Sequence, residues 1–128
     1  MLKDRVDEAK KLQGFIQIMD RDRAGKPCKL NVPGHEGRRY TVILRRQKGK
    51  LLAECLHGEA SSNWPCEGSI QSVCYHCLAA IIATAADSGK KVTFFEEYKD
   101  AKNYSNFGGV VCLVEGWKSH KQLFMVVK

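Results

Sequence analysis

Two pairs of residues carry most of the chemistry open to this chain. Cys55 and His57 stand two positions apart, and Cys74 and His76 repeat that spacing. In an extended strand, residues i and i+2 point to the same face, so one pair can offer a thiolate and an imidazole to a single ion. Cys74 and His76 sit immediately ahead of an apolar helical pattern, where the positive end of a helix dipole favours a thiolate. Together the four supply two sulfurs and two nitrogens, a set suited to tetrahedral Zn²⁺ at bond lengths of about 2.3 and 2.0–2.1 Å. Two thiolates formally neutralise that ion. Cys66 and Cys77 lie in the same stretch, and Cys77 completes a Cys-x-x-Cys with Cys74, so either is an alternative for one of the four. Cys28 and Cys112 stand apart, alternate with strand neighbours and read as core, because free cysteines often act as small hydrophobes. His35 and His120 fall in turn-like segments and read as exposed.

The chain has 128 residues, 44% hydrophobic and 27% charged, which fits one globular domain over 1–128 and excludes wholesale disorder or a coiled coil. The first twenty residues are broken by charges too often for a secretory segment. No run approaches the ~20 apolar residues of a membrane helix. An intracellular, reducing location is therefore expected, and metal binding explains the gathered thiols better than disulfides. Charge is segregated: residues 1–50 carry +8, 51–89 carry −4 and 90–128 carry +3. Basic flanks suggest an anionic partner, nucleic acid being the commonest.

The elements that must position these groups follow from periodicity. Leu2, Val6, Ala9, Leu12, Ile16 and Met19 recur at helical spacing and predict one amphipathic helix over 2–22; a rival reading ends it at Gly14 and makes 15–19 a strand. Cys28, Leu30 and Val32, then Tyr40, Val42 and Leu44, alternate as two half-buried strands, and a turn at Gln47-Lys48-Gly49 leads into a third over 50–55. Residues 58–72 lack periodicity and read as a loop. Leu78, Ile81, Ile82 and Ala85 trace a buried helix closed at Ser88-Gly89. A strand over 91–95, a polar aromatic stretch over 96–107 and a hairpin of 110–114 with 123–127 complete the expected α+β fold: an N-terminal helix, a small antiparallel sheet, a zinc site and a C-terminal β-hairpin.

The run Tyr40 to Val42, then Cys55-x-His57, then Cys74-Tyr75-His76-Cys77-Leu78-Ala79-Ala80-Ile81 resembles the SWIM zinc finger over about residues 28–86. That pattern is Cys-x-Cys, a variable loop, then Cys-x-His leading into an apolar helix. His57 is the departure, standing where the family usually has cysteine. Such modules occur in mutator-type transposases, chromatin-remodelling helicases and recombination accessory proteins. The resemblance implies a zinc-binding core over about 28–88 that recognises DNA or protein, without catalysis.

Arg38, Arg39, Arg45, Arg46, Lys48 and Lys50 border the strands that lead to the zinc loop and are the candidate phosphate contacts. A second surface interleaves Tyr98, Lys99, Lys102, Tyr104 and Phe107 with Trp117, Lys118 and Lys121, a mixture suited to stacking on unpaired bases. The expected function is a zinc-stabilised accessory module for nucleic acid, DNA rather than RNA. The alternative is an adaptor docking through the Trp64 loop or the N-terminal helix. A remoter alternative is a zinc deaminase built on His57-Gly58-Glu59, Pro65-Cys66 and Cys74-x-x-Cys77. Only fourteen residues separate Glu59 from Cys74, too few for the helix and strand that fold interposes.

Overall fold

The structure, a computed structural model, describes residues 1–34, 37–58, 66–68 and 72–128. His35, Glu59, Trp64 and Pro65, and most of the expected 58–72 loop, lie outside the described residues, and with them the adaptor loop and the deaminase glutamate. Helix α1 (Leu2–Lys11) leads through a 3₁₀ turn (Gln13–Phe15) into strand β1 (Gln17–Arg21). Strands β2 (Pro27–Pro33), β3 (Arg39–Gln47) and β4 (Lys50–His57) follow, then helix α2 (Tyr75–Asp87). Strand β5 (Val92–Phe95), helix α3 (Tyr98–Ser105) and strands β6 (Val110–Gly116) and β7 (Gln122–Val127) complete the chain.

The seven strands form one sheet in the order β1-β2-β3-β4-β6-β7-β5. Every pairing is antiparallel except β4 with β6, whose crossover runs through α2, β5 and α3. This parallel seam merges the C-terminal hairpin with the N-terminal strands. The expected turn between β3 and β4 is two residues, Lys48-Gly49, and Gly49 supplies the positive φ of +72° that such a hairpin favours.

The single helix expected over 2–22 is instead a helix ending at Lys11 and a strand from Gln17. The Gln13 side chain donates to the carbonyls of Ala9 and Ala79, satisfying the helix end and tying it to α2. Gly14 has no side chain to continue an apolar stripe, and β1 gains ladder bonds from β2 that a longer helix would forgo. Helix α3 forms within the stretch that had no assigned element, with buried Ala101 facing the sheet and the Tyr98 and Tyr104 rings against Phe124 and Phe95.

Alternation divides the sheet into two faces. Leu30, Val32, Tyr40, Val42, Leu44, Leu51, Ala53 and Cys55 point inward beneath α2, continuing into Val114, Leu123 and Met125. Helix α1 crosses α2 through Ala9, against a helix whose Ala79 and Ala80 are likewise fully buried, so small side chains set the close approach. On the opposite face α3 covers β5, β6 and β7. Because Ala9 is 0% exposed, Ala9→Leu is expected to overpack this contact and cost about 1–3 kcal/mol, measured by equilibrium urea unfolding.

Candidate metal centre

Four donor atoms meet beneath the N-terminus of α2. One ligand atom each from Cys55, Cys66, Cys74 and His76 lies within 4.8 Å of all the others, and all four residues are buried. Each arrives by a different local device. Cys55 is an inward position of β4, held in register opposite Val42. Cys66 is brought to that strand by its backbone N–H, which donates to the Cys55 carbonyl at 3.0 Å. Cys74 is the N-cap of α2 in extended conformation, and His76 lies in the first turn. Arg5 of α1 donates to the Val73 carbonyl at 2.7 Å, fixing the chain just before Cys74.

The spacing fits a tetrahedral ion. With Zn–S bonds of about 2.3 Å and Zn–N bonds of about 2.05 Å, neighbouring donors stand about 3.8 Å apart for sulfur pairs and about 3.6 Å for sulfur and nitrogen. His76 Nδ1 is 3.8 Å from both Cys66 Sγ and Cys74 Sγ. Its other nitrogen, Nε2, is buried without a hydrogen-bond partner among the described residues. The ring is held instead by stacking, 3.9 Å from the Tyr40 centroid and 4.1 Å from that of Tyr75. Gly34 covers this edge; a Cβ there would collide with the Tyr40 ring and stand 3.2 Å from His76 Nε2.

The thiols and the imidazole shift one another's acidity. Hydrogen bonds from Cys55 and Cys66 pull the Cys74 thiol below its ordinary range, while bonds to its neighbours and burial push Cys55 far up. Burial opposes a charge on His76, but the thiols of Cys66 and Cys74 outweigh it and raise the ring to about 9. Three thiolates and an imidazole around a divalent ion leave a net charge of −1 beside the positive end of α2. The Cys₃His set can hold a metal ion, as a zinc finger does, and it satisfies the ion's four positions with protein atoms.

Of the ligands expected from the sequence, the structure brings Cys55, Cys74 and His76 together and leaves His57 outside the group. His57 is the cross-strand partner of Tyr40, and its ring packs on that tyrosine at 4.9 Å. Cys66, which the two-residue spacing does not reveal, joins the cluster; its signal was its place among the clustered thiols. Cys77 lies beside the centre, its Sγ 3.7 Å from Cys74 Sγ. The deaminase trio of His57, Cys74 and Cys77 does not form the described donor group.

Five of the six basic candidates divide between the two faces. Arg39, Arg45 and Lys50 share the outer face, whereas Arg38 lines the cleft of Tyr40, His57 and Tyr75, and Arg46 lies near Pro27 on the inner side. Lys48 is in the turn. Arg45 pairs with Glu54 at 3.0 Å, Arg46 with Asp22 at 3.4 Å and Lys50 with Glu115 at 3.5 Å, while Arg39 donates to Asn31 and to the Phe15 carbonyl. In the second surface, Trp117 lies under the Arg45 guanidinium at 4.8 Å, whereas Tyr98 and Tyr104 of α3 pack against Phe124 and Phe95. Comparison with protein-family models, curated proteins and solved structures found no match. No helix among the described residues is long and apolar enough to cross a membrane.

Cys66→Ser is expected to weaken metal binding by more than the roughly 10–100-fold that loss of a supporting residue costs, while His57→Ala keeps one ion per chain, as read by elemental analysis and competition titration. Loading must displace the His76 proton. A group raised in the folded state stabilises it fully below its ordinary value of 6.5 and loses that contribution as pH rises through about 9. Metal-free protein should therefore lose stability across this window while metal affinity climbs, checked by thermal melts and competition titrations from pH 6.5 to 9.

Proposed function

We propose that the chain is a zinc-stabilised, non-catalytic module of the SWIM type that binds nucleic acid through the outer face of its sheet. The observation that carries this reading is the Arg45 guanidinium stacked on Trp117, 4.8 Å from the ring centroid, with Trp117 still 41% exposed. An indole beside a cation offers an unpaired base a stacking surface and its phosphate a counter-charge. Arg39 and Lys29 extend the same face along β3 and β2, Arg39 opposite Pro33 and Lys29 opposite Ile43. A structural role for the ion follows from four protein donors, which leave no position for substrate. The net charge of +7 favours a polyanion, and the SWIM-like pattern favours DNA over RNA and a recombination or transposition context inside the cell.

A second reading rests on a different observation. Strand β1 is an edge strand exposed along its whole length, and Phe15 (66%), Met19 (50%) and Ile18 (37%) lie open beside it. Such an edge accepts a strand from a protein partner, which would make the chain an adaptor.

Binding of single- and double-stranded oligonucleotides across a salt titration separates the two. The first reading expects affinity that falls with salt and preference for single strands, with Trp117→Ala and Arg45→Ala each weakening binding about 5–100-fold. Absence of binding at low salt overturns it.

A further inference from the structure

A tetrahedral ion takes four donors, and beside the four that meet here stands a further thiol, that of Cys77. Cys77 is 1% exposed, its Sγ is 3.7 Å from Cys74 Sγ, and its thiol is also in hydrogen-bonding contact with Cys55. That sulfur separation matches the edge of a zinc–thiolate tetrahedron, about 3.8 Å. Cys74 thus has two partners at ligand spacing, the Nδ1 of His76 at 3.8 Å and the sulfur of Cys77 at 3.7 Å. Cys77 follows Cys74, the N-cap of α2, by three residues, so both thiols belong to the start of that helix.

The imidazole is the more weakly anchored of the two. A ligating histidine normally gives its second nitrogen to a carboxylate or carbonyl, which fixes the ring and strengthens it as a ligand. Among the described residues His76 Nε2 is buried and makes no such bond, and the ring packs against those of Tyr40 and Tyr75.

We propose that the centre has two interchangeable ligand sets, Cys₃His and Cys₄, which share Cys55, Cys66 and Cys74 and exchange His76 for Cys77 when a more thiophilic ion such as Cd²⁺ is bound. The proposal rests on the metal-centre reading above. In the exchange the metal–nitrogen bond breaks and a metal–sulfur bond forms, and the proton leaving Cys77 Sγ passes to His76 Nδ1. The charge of the whole centre is unchanged, since the added thiolate is matched by an imidazolium. Harder preference keeps imidazole on Zn²⁺, whereas a softer ion gains more from the fourth sulfur.

The test uses the full chain and the metals alone. Loaded with Co²⁺, whose thiolate charge-transfer absorption grows with the number of bound sulfurs, the wild type should read as three sulfurs. His76→Ala should keep one ion per chain and gain about one-third in that band. The double variant His76→Ala with Cys77→Ser should lose the gain and bind at least about tenfold more weakly. A second arm stays informative if His76→Ala does not fold: ¹¹³Cd resonance of wild type should report four sulfurs, moving to a lower sulfur count in Cys77→Ser. An unchanged sulfur count in His76→Ala, or a Cd²⁺ signal that Cys77→Ser does not move, overturns the exchange. Wild type that takes up neither ion overturns the metal-centre reading itself and the exchange with it.

Discussion

The middle of this fold depends on three short segments converging on one point, the inward edge of β4, the backbone around Cys66 and the first turn of α2. Thiols and an imidazole gathered there without a counter-ion are poor core. Sulfur packs adequately, but thiolates repel one another, and a buried imidazole with one nitrogen unpaired loses hydration without return. An ion reverses each of these costs. In comparable small sites it contributes on the order of 10–16 kcal/mol of apparent folding free energy at neutral pH, as large as the whole stability of an ordinary domain. An ion held by these four donors would therefore be bound in the same equilibrium that folds the chain. The packing of Leu78, Ala79 and Ile81 on the sheet depends on α2 starting where Cys74 and His76 start it.

The rest of the molecule reads as support for that junction. Gln13 of the N-terminal turn reaches the Ala79 carbonyl, and Arg5 reaches that of Val73, so the N-terminal segment grips α2 on both sides of the turn that carries Cys74 and His76. The parallel seam between β4 and β6 gives β4 a neighbour on each side, and Trp117 N–H donates to the Ala53 carbonyl two residues before Cys55. A central strand is a firmer base for a ligand than an edge strand, whose ladder is half empty. Cys55 lies two residues beyond the stretch of β4 that β6 pairs, with β3 on one side and the Cys66 N–H on its carbonyl.

Much of this was legible in the residues, and the failures have particular causes. The alternation of Leu30 with Val32, and of Tyr40 with Val42 and Leu44, marked the strands, and the apolar run after Cys74 marked α2. Three donors were visible as Cys-x-His pairs. His57 was named by the same rule but shares its face with Tyr40, and a cross-strand aromatic contact occupies its ring. Spacing along a strand tells which face a side chain takes, not which neighbour waits there. Cys66 was obscured for the converse reason: it reaches the centre through one backbone hydrogen bond to β4, a long-range tie with no local pattern. The helix expected over 2–22 failed at Gly14, where helical and strand periodicities both fit and pairing with β2 decided the outcome. The seven-stranded sheet itself depended on a parallel pairing between segments more than fifty residues apart, which no local signal encodes.

The segregation of charge along the chain changes meaning in three dimensions. The middle segment has acids and no bases, yet two of those acids face the basic flank that precedes it: Asp87 takes a bidentate pair from Arg21, and Glu54 accepts from Arg45. The Arg21 bond is what holds the Asp87 carboxyl below its ordinary range. The asymmetry is thus partly a record of tertiary pairing, tying β1 to the end of α2 and β3 to β4. Since each pair remains exposed to solvent, salt screens it, and its worth lies more in register than in stability. A net charge alone would overstate the cation available to an outside partner. What distinguishes Arg45 is that its carboxylate partner leaves the guanidinium plane against an indole, so it keeps a face for a ligand even while its charge is partly answered.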